Sequence, residues 1–138
     1  GHFLCNNLHL SLPFLDLNNL SLKTLLGAFF SLFALVMGVP LPDISTVGAL
    51  MGEKLVLNEF IAYTDLAAMK DILTPKALTI ASFALCGFAN FGSIAIQIGG
   101  IGELAPTRRS ELAQLGIKAL ICGTFASYVS ACMAGILM

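Results

Sequence analysis

The sequence has 138 residues, of which 57% are hydrophobic and 11% charged, and its mean hydropathy is +0.90. An ordinary soluble domain has about a quarter of its residues charged, so lipid is the expected solvent. The net charge of −1 provides no basic field for a polyanion. The composition therefore predicts an integral membrane protein and excludes nucleic acid as a partner.

The N-terminal residues 1–16 carry no motif that assigns them a role. His2 and His9 have no acidic or cysteine partner at ligand spacing, so we interpret them as solvent or interface residues and expect no metal site. The cysteines form no CxxC pair and predict neither a disulfide nor a zinc site. Because the sequence starts at Gly1 and lacks the features of a signal peptide, we expect it to be part of a longer chain.

Three stretches without formal charge predict membrane spans. They cover residues 24–42, 77–102 and 119–138, and each is close to the ~20 residues that a spanning helix needs. We expect the third helix to begin earlier, near Thr107 or Ser110, which resemble N-terminal caps. The pattern predicts a multi-pass, all-α membrane protein.

The second stretch is a poor candidate for a continuous helix. Glycines interrupt it, and its centre reads GFANFGS at residues 87–93. A break inside a bilayer exposes backbone groups that cost several kcal/mol each, so it survives only where it faces protein or a watery cavity. The pattern predicts a broken helix with a site at the break.

Between the first and second spans, residues 41–70 contain two short apolar pieces, residues 46–51 and 55–62. Neither is long enough to cross a membrane alone. We interpret them as the two helices of a re-entrant hairpin, with its turn at Gly52-Glu53-Lys54. The alternative is an amphipathic surface loop.

Three polar residues in these segments are candidates for a binding site. A carboxylate such as Glu59 at membrane depth costs at least a few kcal/mol unless it is paired or wetted, although Glu59 could instead lie in water at the hairpin base. Asn90 and Ser93 are three residues apart and would project from one side of the break. They offer hydrogen bonds to a ligand or, alternatively, satisfy backbone groups that the break leaves free.

The third span carries a stripe of small residues at every fourth position: Ala119, Gly123, Ser127, Ala131 and Gly135. Such a stripe predicts close packing against a neighbouring helix. Basic residues cluster between the second and third spans: Arg108, Arg109 and Lys118. By the positive-inside rule we expect this connection on the cytoplasmic side.

Four segments carry a family resemblance: GEKLVLNEFIAY at residues 52–63, ALCGFANFGS at residues 84–93, IGGIG at residues 98–102 and APTRR at residues 105–109. Together they resemble the concentrative nucleoside transporters, and the likeness extends from about residue 17 to the C-terminus. The resemblance implies the second of two inverted repeats in a homotrimeric plasma-membrane protein, or inner-membrane protein in a bacterium. It also implies that substrate moves by an elevator-like displacement.

The resemblance divides the chain into four parts: a scaffold helix at residues 17–42, a re-entrant hairpin at residues 41–70, a broken helix at residues 75–102 and a last transmembrane helix at residues 107–138. It implies that Glu59, Asn90 and Ser93 hydrogen-bond the ribose hydroxyls, and that Phe88 packs near the nucleobase. No metal ligand or cofactor is implied in this chain. The coupling ion, Na+ or H+, belongs to the N-terminal half of the complete protein.

The expected function is cation-coupled nucleoside uptake, to which this chain contributes the ribose-binding half of the site. A membrane scaffold or assembly fragment without its own ligand is the alternative. A hydrolase that uses Glu59 would need a partner acid or metal, and the sequence provides no such arrangement. We therefore do not expect an enzyme.

Overall fold

The computed structural model describes residues 22–138, with side chains from Thr24 onward. The unassigned segment 1–16, with His2 and His9, and the expected start of the scaffold helix at residue 17 lie outside the described residues. The described part is all-helical and contains no strand, which confirms the predicted all-α class. In chain order it comprises α1 (Leu22–Val36), a 3-10 turn (Leu41–Asp43), α2 (Ile44–Val56), α3 (Glu59–Ala68), α4 (Pro75–Leu85), α5 (Phe91–Leu104), a second 3-10 turn (Pro106–Arg108) and α6 (Arg109–Leu137).

Helix α1 ends earlier than the span predicted for residues 24–42, because a glycine stops it after Val36. Gly38 has a φ of +85°, a left-handed conformation that favours glycine. Its N–H donates to the Leu35 carbonyl at 3.0 Å, which satisfies one of the last free carbonyls of the helix. Pro40 follows and cannot continue the helix.

Helices α2 and α3 occupy residues 41–70 and pack against each other, but the turn between them was predicted in the wrong place. Gly52-Glu53-Lys54 lies inside α2, and the chain turns at Leu57 and Asn58. The Asn58 Oδ1 accepts a hydrogen bond from the Ile61 N–H at 3.0 Å. This cap starts α3, and an asparagine three residues before an apolar position was the sequence signal for it.

The base of this helix pair is tied to the start of α4. Asp43 is 7% exposed, and its Oδ2 accepts hydrogen bonds from the Thr74 N–H at 3.1 Å and the Thr74 hydroxyl at 2.6 Å. Thr74 is itself the N-cap of α4 and accepts from the Ala77 N–H at 3.3 Å. One buried carboxylate therefore fixes where α4 begins relative to α2.

The interruption predicted within residues 75–102 is present. Helix α4 ends at Leu85, and α5 begins at Phe91, with a non-helical segment at residues 86–90 between them. Gly87 in this segment has a φ of +114°, which a residue with a side chain rarely adopts. The glycine pattern of the sequence therefore identified the break correctly.

Helix α6 begins at Arg109, close to the predicted position, but its predicted caps are wrong. Thr107 lies in the preceding 3-10 turn, Ser110 lies in the first turn of the helix, and no side chain caps this end. Arg108 donates to Glu111 instead, at 2.9 and 2.5 Å. Pro106 starts the 3-10 turn, and that turn leads directly into α6. Thr107 therefore lies inside a helical turn and not in the extended residue that precedes a helix, which is where a capping side chain is found.

Among the described residues, one helical stretch, Pro106–Leu137, has the length and apolar composition needed to cross a membrane. The apolar helices Thr24–Val36, Pro75–Leu85 and Phe91–Leu104 are shorter. The first two predicted spans are therefore not continuous spanning helices in the described part of the chain.

Helix α6 packs its small-residue stripe onto α4 and the break. Ala131 is 0% exposed, and a Cβ on Gly135 would lie 3.0 Å from the Met37 carbonyl oxygen. A Cβ on Gly123 would lie 3.4 Å from the Cβ of Ala89 in the break. The close packing predicted from this stripe is confirmed at Gly123, Ala131 and Gly135, whereas Ala119 is exposed.

The buried core joins α1, α2, α3, α4 and α6. Its fully buried large side chains come from α2 and α4: Val47, Leu50, Met51, Ile80 and Leu85. Large apolar side chains also cover the outer face of α6: Ile121, Phe125, Val129, Met133 and Ile136. An apolar outer face of this extent suits lipid or further protein as its neighbour.

Candidate functional site

The candidate site lies where two helix N-termini meet. Glu59 is the first residue of α3, and Asn90 is the N-cap of α5. The Asn90 Nδ2 donates a hydrogen bond to the Glu59 Oε2 at 2.8 Å. Unpaired N–H groups and the helix dipole make a helix N-terminus favourable for a carboxylate. This hydrogen bond therefore joins the N-terminus of α3 to the N-terminus of α5.

Asn90 also satisfies the backbone at the break. Its Oδ1 accepts hydrogen bonds from the Ser93 N–H at 2.8 Å and the Ser93 hydroxyl at 3.1 Å. The side chain is 3% exposed. The structure thus shows the second alternative stated for Asn90, because its Oδ1 satisfies the backbone at the start of α5 while its Nδ2 holds Glu59, and a hydrogen bond from Asn90 or Ser93 to a ligand stays a prediction. This division also fixes the amide orientation, since only the nitrogen can donate to a carboxylate.

Three further side chains, which sequence reasoning did not assign to the site, donate to carbonyls at the end of α4. They are Tyr63 to Ser82 at 2.6 Å, Lys54 to Ala84 at 3.1 Å and Ser127 to Cys86 at 2.6 Å. Lys54 was wrongly placed in the hairpin turn, and Ser127 was identified only as a packing residue. The sequence did carry a signal for Lys54, because it is a cation among apolar residues at helical spacing, and such a residue is expected to be buried with a partner. The sequence carried no comparable signal for Tyr63.

Phe88, Asn90 and Ser93 line an open cavity of about 200 Å³ between the break, α5 and α6. Phe88 is 78% exposed and adds an aromatic face, while Gln97, one turn after Ser93, adds a further amide. Glu59 is not among the residues that line this cavity, but it is partly exposed and its carboxylate is bonded to Asn90, which does line it. The structure therefore brings three of the four predicted site residues to one cavity and places the fourth beside it.

The chemistry of this cluster suits a ligand with neighbouring hydroxyl groups. A carboxylate has several acceptor positions, of which Asn90 uses one, and the Ser93 hydroxyl can also accept a hydrogen bond. Within residues 22–138, no group of three or more potential metal ligands is present. The described part of the site offers hydrogen bonds to a polar ligand.

Comparison with known proteins identifies the family. Residues 3–135 match the family described as "Na+ dependent nucleoside transporter C-terminus", and the chain belongs to this family of concentrative nucleoside transporters. The resemblance stated from the sequence is confirmed. The relatives named in this family are transporters rather than enzymes.

Relatives from bacteria and mammals share this sequence. The chain is 49% identical over 119 residues to the uncharacterized transporter YutK of Bacillus subtilis, covering 86% of this chain and 30% of that protein. It is 44% identical over 118 residues to the putative nucleoside permease NupX of Escherichia coli, covering 83% and 28%. It is 39% identical over 137 residues to human sodium/nucleoside cotransporter 1, covering 88% and 21%. The chain thus spans between 21% and 30% of these relatives.

Solved structures share the fold. The chain matches the transporter CNTnw in an inward-facing substrate-bound state with a TM-score of 0.79 and 43% identity, covering 86% of this chain and 30% of that one. It matches a variant of CNTnw in an intermediate state with a TM-score of 0.80 and 42% identity, covering 88% and 30%. The fold described above is therefore that of one segment of a longer transporter.

Proposed function

We propose that this chain supplies the ribose-binding half of the substrate site in a cation-coupled nucleoside transporter. The single observation that carries the proposal is the 2.8 Å hydrogen bond between Asn90 and Glu59. It joins the N-termini of α3 and α5, and each of these helices starts at an interruption of the chain. Membrane proteins place polar groups at such interruptions because the free backbone groups there need hydrogen-bond partners. A cavity at the interruption also makes these polar groups accessible to a ligand.

Glu59 provides the charged acceptor for two neighbouring ribose hydroxyls. Hydrogen bonds to an ionised group are stronger than neutral ones, and a site built for a hydroxyl rejects a sugar that lacks it. Asn90 and Ser93 complete the polar side of the site. Phe88 presents its exposed ring to the cavity, where it packs near the nucleobase.

The helix lengths support a second inverted repeat in which α2 and α3 form a re-entrant hairpin. Helix α2 has 13 residues and α3 has 10, and neither reaches the ~20 residues needed to cross a bilayer. Helices α4 and α5 then form the broken transmembrane helix, α1 is the scaffold helix, and α6 is the last span. The first repeat of the complete protein provides the other half of the site.

The complete protein is a homotrimeric symporter of the plasma membrane that works by an elevator-like displacement and couples uptake to Na+ or H+. Structures of CNTnw and its variants in inward-facing, intermediate and outward-facing states support alternating access in this family. The family description and the names of the mammalian relatives refer to sodium, which supports an ion gradient as the driving force.

Substitution of Glu59 tests this function. In the complete transporter that contains this chain, Glu59→Gln should lower kcat/KM for uridine uptake driven by a cation gradient by about ten- to hundredfold, because charged hydrogen bonds are lost. Ser93→Ala should cost less, since it removes a neutral hydroxyl. The exposed Asp71 provides the control, and Asp71→Asn should leave uptake unchanged. Undiminished uptake by Glu59→Gln at equal surface expression would defeat the site assignment.

A further inference from the structure

We propose that Lys54 is a positioning residue for the sugar site, because it fixes the end of α4 to the hairpin and thereby sets Asn90 against Glu59. This inference rests on the proposed function, because the consequence of Lys54 is read out through nucleoside binding. Lys54 does not contact the cavity, and its role is exerted through the backbone of the break.

The broken helix leaves carbonyl groups that need donors. The last four carbonyls of a helix have no partner within it, and unsatisfied backbone groups in a membrane cost several kcal/mol each. The Cys86 N–H donates to the Phe83 carbonyl at 3.2 Å, which tightens the end of α4 and leaves the carbonyls of Ser82 and Ala84 to other donors. Side chains from outside α4 supply those donors.

Lys54 is the one charged donor among the three described above. It is 3% exposed, and a buried ammonium group is costly unless hydrogen bonds compensate it. Its Nζ donates to the Ala84 carbonyl at 3.1 Å across the interface between α2 and α4. Lys54 therefore ties α2 to the helix end that precedes the break.

Two links then bracket the break at residues 86–90. The Lys54–Ala84 hydrogen bond holds its start, and the Glu59–Asn90 hydrogen bond holds its end. Both Lys54 and Glu59 belong to the hairpin helices and lie on either side of the turn between them. Loss of the first link frees the end of α4 to shift along the hairpin, so that Asn90 and Glu59 no longer present their groups together to one sugar.

The predicted signature is a loss of hydroxyl discrimination, because hydrogen bonds to the sugar hydroxyls need Asn90 and Glu59 in exact alignment, whereas the apolar contact between Phe88 and the nucleobase has no directional requirement and tolerates a small shift of the break. We expect the complete wild-type transporter to bind uridine more tightly than 2′,3′-dideoxyuridine in an equilibrium binding measurement. Lys54→Met should weaken uridine binding by about tenfold or more and leave dideoxyuridine binding nearly unchanged. The ratio of the two Kd values should then approach one.

Two companion variants isolate the donor. Lys54→Arg retains a cation that donates hydrogen bonds, so it should preserve most of the wild-type ratio. Lys70→Met removes an exposed lysine beyond α3 and should leave both Kd values unchanged. Reduced folding alone lowers the amount of binding protein and does not alter the ratio of the two Kd values.

A folded Lys54→Met variant with the wild-type ratio would overturn the inference. If that variant does not fold, Lys54→Leu takes its place, because its shorter side chain also lacks a hydrogen-bond donor, and an unchanged ratio there would be equally decisive. A wild-type transporter that binds both compounds equally would instead contradict the proposed ribose site itself. The two failures are therefore distinguishable.

Discussion

At the residue scale, Asn90 serves the backbone and the site with different atoms of one side chain. Its Oδ1 caps α5 through Ser93, and its Nδ2 donates to Glu59. A residue type chosen for one of these tasks need not fit the other, since aspartate and serine cap helices as well as asparagine does. An amide carries its capping acceptor and its donor on two different atoms, so that Asn90 bonds to Ser93 and to Glu59 at the same time, whereas an ionised aspartate has no donor at all.

This division of tasks makes Asn90→Asp a sharp test. The new carboxyl group should still cap α5, so that thermal stability at low pH changes little. At neutral pH it would face Glu59 without a donor, and two carboxylates at hydrogen-bond distance cannot both remain ionised without repulsion. We expect uridine affinity of the complete transporter to fall at neutral pH and to recover in part at acidic pH, where the pair shares a proton.

The measurement is the uridine Kd of wild type and variant across a pH series. The wild-type Kd provides the reference at each pH, which removes any pH effect common to both proteins. If Asn90→Asp binds uridine as tightly as wild type at neutral pH, then the Asn90 donor has no role in the site.

The sequence alone pointed to Glu59, Asn90 and Ser93 as candidate site residues, because polar residues beside a helix break in an apolar chain are usually functional or satisfy the backbone. It did not predict the Glu59–Asn90 hydrogen bond, which depends on how the hairpin helices lie against the broken helix. Lys54 was misplaced because glycine followed by charged residues resembles a turn. In the structure Gly52 lies within α2, where a Cβ would come 2.9 Å from the Leu26 Cβ.

At the element scale, α1 and α2 cross at Gly48, where the absence of a side chain allows the two helices to approach closely. A Cβ on Gly48 would lie 2.5 Å from the Ser31 Oγ and 2.7 Å from the Gly27 carbonyl oxygen. The Ser31 hydroxyl is already bonded to the Gly27 carbonyl at 2.7 Å. The backbone of α1 therefore has no room for even one methyl group at this position.

Gly48→Ala should accordingly destabilise the protein, although alanine favours a helix over glycine by about 1 kcal/mol. Overpacking typically costs about 1–3 kcal/mol, and here part of the clash is with backbone atoms that cannot rotate away. The measurement is the melting temperature of the purified complete transporter in detergent, which should fall.

Gly99→Ala is the matched control, because Gly99 also lies inside a helix and a Cβ there would meet nothing within 4 Å. Its melting temperature should stay the same or rise, as expected from helix propensity alone. A Gly48→Ala variant that melts no lower than Gly99→Ala would show that the α1–α2 contact is looser than described.

The elements themselves were more predictable than their ends. The break after Leu85 and the packing stripe of α6 followed from glycine and small-residue positions. The ends depended on caps, such as the glycine turn at Gly38 and the asparagine cap at Asn58, which the hydropathy pattern does not register. The prediction from apolar length therefore made the first span too long. The turn predicted at Gly52-Glu53-Lys54 lies before the observed turn at Leu57 and Asn58.

At the scale of the whole molecule, the proposed function makes this chain one side of a site that a longer transporter completes. It covers 30% of the length of CNTnw, and its described surface retains large exposed apolar side chains, among them Phe88 and Phe60. Phe88 borders the cavity directly, so a partner segment and the nucleobase would share this surface. The sequence could not specify this partner, because the residues that complete the site belong to the rest of the protein.

The most direct test is the structure of the complete transporter with uridine bound, in which the distance between the ribose hydroxyl oxygens and the Glu59 carboxylate oxygens is measured. We expect at least one such distance to be about 2.5–3.0 Å, with Asn90 still bonded to the same carboxylate. A structure in which the ribose hydroxyls face other residues while Glu59 contacts Asn90 alone would contradict the proposed ribose site.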